Sequence, residues 1–234
     1  MINKADGALA LDDHGIALIT CVNNEKEYDN AKNTFLKLAV PQGYRVNIMG
    51  IRKAPSMAAG YQRMMETSNA KYKIYLHQDV FVLDPMLLGN LLAVFQANKE
   101  IGMIGMAGTS DLDWDNPVWW NSNKSSLYGE CMTGIPEQGR VVYSLYGKIS
   151  GDYKEVAAVD GLFMATQYDL PWRKDLFKAW HFYDISQSRE FIKAGYKVVI
   201  PRQEKPWVLH NCGIKPVGDA YYADMQIFKQ NYHW

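Results

Sequence analysis

The first strong signal in the chain is a nearly unbroken apolar run, Ile16–Val22 (IALITCV). Such a run predicts a strand buried on both faces. Tyr28, Ala31, Phe35 and Leu38 then recur at helical spacing, and Pro41 closes that element. Tyr44–Ile51 (YRVNIMGI) predicts a second strand. Ser56 is a ready N-cap for a helix that places Met57, Tyr61, Met64 and Met65 on one face. Lys73–Val82 (KIYLHQDVFV) predicts a third strand, interrupted by His77, Gln78 and Asp79. Pro85 opens a helix with Leu88, Leu91, Leu92 and Phe95 turned inward, and Ile101–Gly108 (IGMIGMAG) predicts a fourth strand. Strand and helix alternate. The expected fold is therefore α/β, an open and mostly parallel sheet with helices on both faces.

Both periods lapse between residues 110 and 154, where Gly, Asn, Ser and aromatic residues dominate. A loop that long in a compact domain is usually functional. Order returns with Glu155–Thr166 (EVAAVDGLFMAT). A helix follows over Ile185–Ala194, stopped by Gly195, and then a strand over Tyr196–Pro201. There is no internal repeat and no low-complexity segment.

At 48% hydrophobic and 21% charged, the 234 residues can bury a sizeable core. The 25 basic side chains balance 25 acidic ones, which gives no electrostatic footprint of a nucleic-acid binder. Cys21, Cys131 and Cys212 are odd in number, widely spaced and without a C-x-x-C pair. Neither a disulfide framework nor a zinc knuckle is expected, and a reducing, cytoplasmic location is the simplest reading. The apolar stretch before Asp12-Asp13 is too short for a signal-peptide core. No apolar run approaches the roughly 18–20 residues of a membrane span, so membrane contact would be peripheral.

Ligands of open α/β sheets sit beyond the carboxyl ends of the strands. Asn23-Asn24 and His77-Gln78-Asp79 should therefore share one rim. A carboxylate placed between Leu76 and Val80, as Asp79 is, needs a partner. A bound metal, a helix cap or a salt bridge would each serve. Asp160-Gly161 stands inside an apolar strand, where Gly permits close approach of a ligand or of another backbone.

In order, the chain carries IALITCVNNE, SMAAGYQ, KYKIYLHQDV, VDGLFMAT, HFYDISQSREFIKAGYKVVIP and VLHNCG. From about Ile16 to Gly213 this resembles the family 2 type of glycosyltransferase with the GT-A fold. More narrowly, it resembles the subgroup whose D-x-D position reads H-Q-D-V. The resemblance implies a single domain over 1–234, with a donor half (about 16–109), an acceptor and base half (about 110–213) and a C-terminal extension (214–234). It implies that a nucleotide-sugar lies over the strand rim, with Val22 and Asn23 against the base and Glu25 nearby. Asp79 would bind Mn2+ or Mg2+ bridging the donor phosphates, and oxygen-rich sites with few carboxylates suit such ions. His77, which replaces the first aspartate of the commoner pattern, would meet ribose or phosphate. His210 would be a second metal ligand through its neutral imidazole, or else an ordinary hydrogen-bonded residue.

Asp184 matches the general base of inverting members. It is also a natural N-cap for the helix beginning at Ile185, and a helix N-terminus is expected to lower its pKa. Two departures stand out. Tyr183 replaces the usual Glu, and MGIRKAPS replaces the usual Asp-Gly-Ser turn. Gln62 stands where asparagine is expected. Asp160 and Gly161 would line the sugar and acceptor pocket.

All seven tryptophans follow residue 110, and aromatic faces stack on sugar C–H surfaces. Trp119, Trp120 and Trp180 are thus candidate acceptor contacts, with core packing or a dimer contact as the alternatives. The expected activity is that of a hexosyltransferase, metal-assisted and inverting, from a UDP-sugar to a glycan, lipid-linked or other hydroxyl acceptor. A sugar-1-phosphate nucleotidyltransferase would need a Gly-rich loop after the first strand, and TCVNNEKEYDN has no glycine. A non-catalytic carbohydrate-binding or scaffold domain of the same fold is the other reading, for which the two departures leave room. Oligomeric state is not encoded in any of these signals.

Overall fold

Strand β1 (Asp12–Val22) is buried from Gly15 onward and feeds both halves of the core. Ile16 and Leu18 enter one apolar cluster, while Ala17, Ile19 and Cys21 enter the other. A period of two on a strand covered from both sides favours apolar residues at nearly every position, and Thr20 is the buried exception. In the computed structural model, which describes residues 10–214 and 216–232, β1 is followed by α1 (Glu25–Phe35), β2 (Arg45–Arg52), α2 (Met57–Thr67), β3 (Ala70–Leu76), β4 (Val80–Val82) and α3 (Leu87–Ala97). Next come β5 (Ile101–Gly105), β6 (Ala107–Thr109), β7 (Leu127–Ile135), β8 (Arg140–Leu145), β9 (Tyr153–Glu155), β10 (Ala158–Val159) and β11 (Phe163–Thr166). The chain closes with α4 (Tyr183–Lys193), β12 (Lys197–Pro201), β13 (Val208–His210) and α5 (Asp219–Asn231).

The main sheet runs β2-β1-β3-β11-β5-β12-β9. β1 pairs in parallel with β2 and β3, and β5 with β12. β11 lies antiparallel between β3 and β5, and β9 antiparallel to β12. The α/β class therefore holds, with the inserted β11 making the sheet more mixed than strand alternation predicts. Helices α1 and α3 pack on one face, and α2, α4 and α5 on the other. A second sheet, β10-β6-β7-β13-β4 with β8 beside β7, covers one end. Among the described residues no helix is long and apolar enough to cross a membrane. Residues 1–9, Lys215, His233 and Trp234 lie outside the described residues.

Several local expectations are met. Ser56 accepts from Ala59 N (3.2 Å) as the cap of α2, and Gly195 is left-handed (φ 88°) just after α4. Three expectations are corrected. The third apolar run breaks at Leu76, and Val80–Val82 joins the second sheet instead. Residues 110–154 are not one loop. β7 and β8 form a hairpin closed by Pro136–Gln138 and left-handed Gly139. Val141, Val142, Tyr143 and Leu145 of β8 face solvent, so no burial-driven alternation marks that strand. Helix α1 stops at Phe35, well short of Pro41, and Leu38 reaches the core from the turn that follows.

Candidate functional site

Turn and register explain why the polar triplet after β3 faces one rim. His77 N donates to Leu162 O (3.1 Å), and Val80 N donates back to His77 O (3.2 Å). The chain then turns into β4, whose antiparallel register sets Val80 opposite His210 of β13. Asn211 N donates to Asp79 O (2.8 Å), which locks the crossing. Asp79, buried, is thereby brought beside a histidine 131 positions away in sequence.

The side chains form a tight cluster. His210 Nε2 lies 3.3 Å from Asp79 Oδ1 and 3.3 Å from His77 Nδ1, and His77 Nδ1 lies 4.0 Å from Asp79 Oδ1. One ligand atom from each of the three falls within 4.8 Å of the others, a spacing that could hold a metal ion. Burial disfavours charge on His210, but the Asp79 carboxylate and Cys212 beside it outweigh that and raise its pKa to about 10. Without a cation, the proton on His210 supplies the positive charge that Asp79 requires.

Tyr183 completes the back of this cluster. Its hydroxyl hydrogen-bonds His77 Nε2, and its buried ring packs near Tyr61 (5.8 Å) and Trp172 (6.3 Å). Gly161 is the reason it fits, since a Cβ there would collide with the Tyr183 hydroxyl and lie 2.6 Å from Cζ. Asp184 stands one residue on, in the first turn of α4. It is not the N-cap: Phe182 holds that place, left-handed at φ 58° and without a side-chain cap bond. A non-Gly residue in that region costs roughly 1–2 kcal/mol. Packing of Phe182 on Tyr221 (5.1 Å) and Phe228 (5.6 Å) offsets it.

Asp184 accepts from Ile185 N through Oδ1 (2.9 Å) and from Gly161 N through Oδ2 (2.9 Å). The expected lowering of its pKa is reversed. Burial first, and the neighbouring Asp160 second, push it up to about 7 despite those N–H groups. Asp160 itself accepts from Leu162 N (2.7 Å).

The rim at the end of β1 is organised by Gln78, to which the sequence had given no role beyond its place in the polar triplet. Gln78 Oε1 accepts from Asn23 N (2.9 Å) and Asn24 N (3.0 Å), and its Nε2 donates to Asn23 Oδ1 (2.5 Å). This ties the end of β1, with buried Val22, to the polar triplet. Asn24 in turn caps α1. Glu25 is held by Arg52 through two contacts, 2.8 and 2.7 Å, and Arg52 lies over Tyr28. The MGIRKAPS segment thus contributes a clamp on Glu25. Gln62 is structural, accepting from Trp172 N (2.7 Å).

The tryptophans divide. Trp119 is buried against Ala107 and Leu127, so it has no open face for a sugar. Trp120 (46% exposed) and Trp180 (41%) keep theirs. Tyr221 of α5 links the two regions, lying 6.0 Å from Trp120, 5.1 Å from His181 and 5.1 Å from Phe182. A signal for Tyr183 was in the sequence: Tyr183 and His77 each stand where the usual pattern has an acidic residue, and the two touch. No signal pointed to Tyr221.

The sequence matches the family model described as "Glycosyltransferase like family" over residues 17–232. Among solved structures, TarS 1-349 of S. aureus in complex with UDP matches with a TM-score of 0.57 at 10% identity, over 91% of this chain and 63% of that one. The mannosyltransferase PcManGT of Pyrobaculum calidifontis, in complex with GDP-Man and Mn2+, matches with a TM-score of 0.51 at 10% identity, over 86% and 59%. At such identity the likeness is one of fold, the GT-A fold. The chain spans about six tenths of the length of these structures. No curated protein matches it.

Proposed function

The chain belongs to the glycosyltransferase-like family, and on that premise we propose that it transfers a sugar from a UDP-sugar to a hydroxyl acceptor with inversion, assisted by a divalent cation. One observation carries this reading: His77, Asp79 and His210 offer ligand atoms within 4.8 Å of one another, joined through Tyr183 to the turn that presents Asp184. On this reading His77-Gln78-Asp79 would take the place of the D-x-D motif.

Asp79 and His210 would hold the ion, with His77 in the same cluster. Two imidazole nitrogens and one carboxylate oxygen suit Mn2+ better than Mg2+, which favours an all-oxygen shell. When bound, the ion supplies positive charge to the departing nucleoside diphosphate. The complexes of the similar folds with UDP and with GDP-Man and Mn2+ support a nucleotide-sugar donor. Val22, Asn23 and Gln78 would line the nucleoside end, and Glu25 would be held near it by Arg52.

Asp184 is the proposed base. The acceptor oxygen bonds to the anomeric carbon as the bond from that carbon to phosphate breaks. The electron pair leaves with the diphosphate, and the hydroxyl proton passes to the Asp184 carboxylate. A carboxyl raised to about 7 is a stronger base than an ordinary aspartate while still ionised near neutral pH. Gly161 lies beside it, and Asp160 and Gly161 would line the acceptor pocket. Trp120 and Trp180 offer stacking faces to a glycan or lipid-linked sugar, and Trp119 supports Trp120 from beneath at 89°. The proposed division has residues 16–109 serving the donor and 110–213 the acceptor and base. α5, in the C-terminal extension, adds Tyr221 to the acceptor side.

The test is a thermal-shift and turnover screen of UDP- and GDP-sugars with Mn2+. A ligand at 100 times its Kd should stabilise the fold by about 2.7 kcal/mol. UDP-sugars should shift the melt only with cation present, and the sugar should be released with inverted configuration. If no nucleotide-sugar shifts the melt or is turned over, the reading fails.

A further inference from the structure

We propose that Tyr183 is a positioning residue for the cation site: its hydroxyl accepts the Nε2 hydrogen of His77 and so presents Nδ1 as a third ligand beside Asp79 and His210. The inference rests on the metal reading above and adds to it the residue that aims the third ligand.

The chemistry of imidazole sets the logic. A neutral histidine has one N–H and one lone pair, and the partner of one nitrogen decides what the other can do. His77 has its two nitrogens in different surroundings. Nδ1 faces His210 Nε2 at 3.3 Å and Asp79 Oδ1 at 4.0 Å, inside the cluster. Nε2 faces outward to Tyr183. With the hydrogen on Nε2 donated to the phenol oxygen, the Nδ1 lone pair points at the centre shared by the other two ligands. Partners of this kind fix ring orientation and tautomer in metal sites.

The surroundings are built for this contact. Gly161 leaves room for the hydroxyl and no other residue would, because a Cβ there overlaps it. Phe182 adopts a left-handed backbone immediately before, and buried packing holds it there. Tyr183 is itself 4% exposed, so its ring cannot swing away into solvent. The same turn carries Asp184, whose Oδ2 accepts from Gly161 N. One short segment therefore positions both the cation ligand His77 and the proposed base.

The experiment titrates Mn2+ alone into the protein and follows the loss of the free-ion electron spin resonance signal. Tyr183→Phe keeps the ring and removes the hydroxyl, and Gly161→Ala pushes the hydroxyl aside. Both should weaken Mn2+ binding roughly 10–100-fold, and Asp79→Ala should weaken it further. Pulsed measurements on bound Mn2+ should show nitrogen modulation from two imidazoles in the wild type and from one in Tyr183→Phe. Nitrogen NMR of the wild type should show His77 with its hydrogen on Nε2, a readout that needs no variant to fold. If wild type and Asp79→Ala bind Mn2+ alike, the metal reading fails and this inference with it. If Asp79→Ala loses Mn2+ but Tyr183→Phe binds it as the wild type does, with both nitrogens present, the metal site stands and the positioning role is overturned. A hydrogen on Nδ1 of His77 overturns it equally.

Discussion

Asp184→Asn separates the charge of this residue from its shape. The carboxyl is raised from 3.8 to about 7, by burial and then by Asp160. At 1.36 kcal/mol per tenfold change in acidity, that rise corresponds to about 4 kcal/mol. Asp184 is partly exposed, and solvent screening reduces the figure to about half. The sign follows from the folded pKa lying above the unfolded one. Below about pH 4 both states hold the proton and no penalty exists. Between about pH 4 and 7 the unfolded carboxyl ionises first, so stability falls as pH rises, and above about 7 the loss is complete.

Asparagine does not titrate. It can accept from only one of Ile185 N and Gly161 N and turns an NH2 toward the other, costing roughly 1–3 kcal/mol at every pH. The variant should therefore be less stable than the wild type at low pH and recover about 2 kcal/mol relative to it by pH 8. Urea melts across that range measure the difference. Transfer should fall roughly 10²–10⁴-fold while cation-dependent UDP binding persists. Wild-type turnover should climb about tenfold per pH unit and level near pH 7. A stability difference that does not change with pH refutes the raised pKa. Near-normal transfer by the variant refutes the base, and the search moves to Asp160, since Glu190 is held by Arg173 and Tyr232.

Asp79→Ala should abolish Mn2+-dependent UDP binding with the fold intact, and His210→Ala should weaken it less; calorimetry showing unchanged affinity in Asp79→Ala would remove the metal assignment. His210 is raised to about 10 and must lose its proton to ligate, so Mn2+ affinity should grow by up to about tenfold per pH unit below that value. Titrations in buffers of different ionisation enthalpy should detect the released proton, and affinity independent of pH would contradict the ligand role. Trp120→Ala should raise the acceptor KM and leave donor hydrolysis unchanged, and an equal loss of both would make Trp120 a packing residue. Trp119→Ala should instead cost about 3–5 kcal/mol of stability, as expected for a buried aromatic, read as a lower urea midpoint.

Much of the local structure was determined by the sequence alone. Burial on both faces writes itself into the unbroken run of β1, helical burial into the spacing of Tyr28, Ala31 and Phe35, and capping into Ser56 and Gly195. The rim position of Asn23 and of the polar triplet followed from the strand order. Contacts between distant segments were decided only in the tertiary structure. The antiparallel insertion of β11 and the β4–β13 register depend on which edges meet, and it is that register that brings His210 to Asp79. The hairpin of β7 and β8 was hidden because an exposed strand needs no alternation. Trp119 and Trp120 are adjacent and alike in sequence, yet one is covered by Ala107 and Leu127 and the other is not. The reversal at Asp184 has the same origin. A helix N-terminus is a local feature that lowers a carboxylate's pKa, but desolvation and the charge of Asp160 arrive through folding, and here they outweigh it.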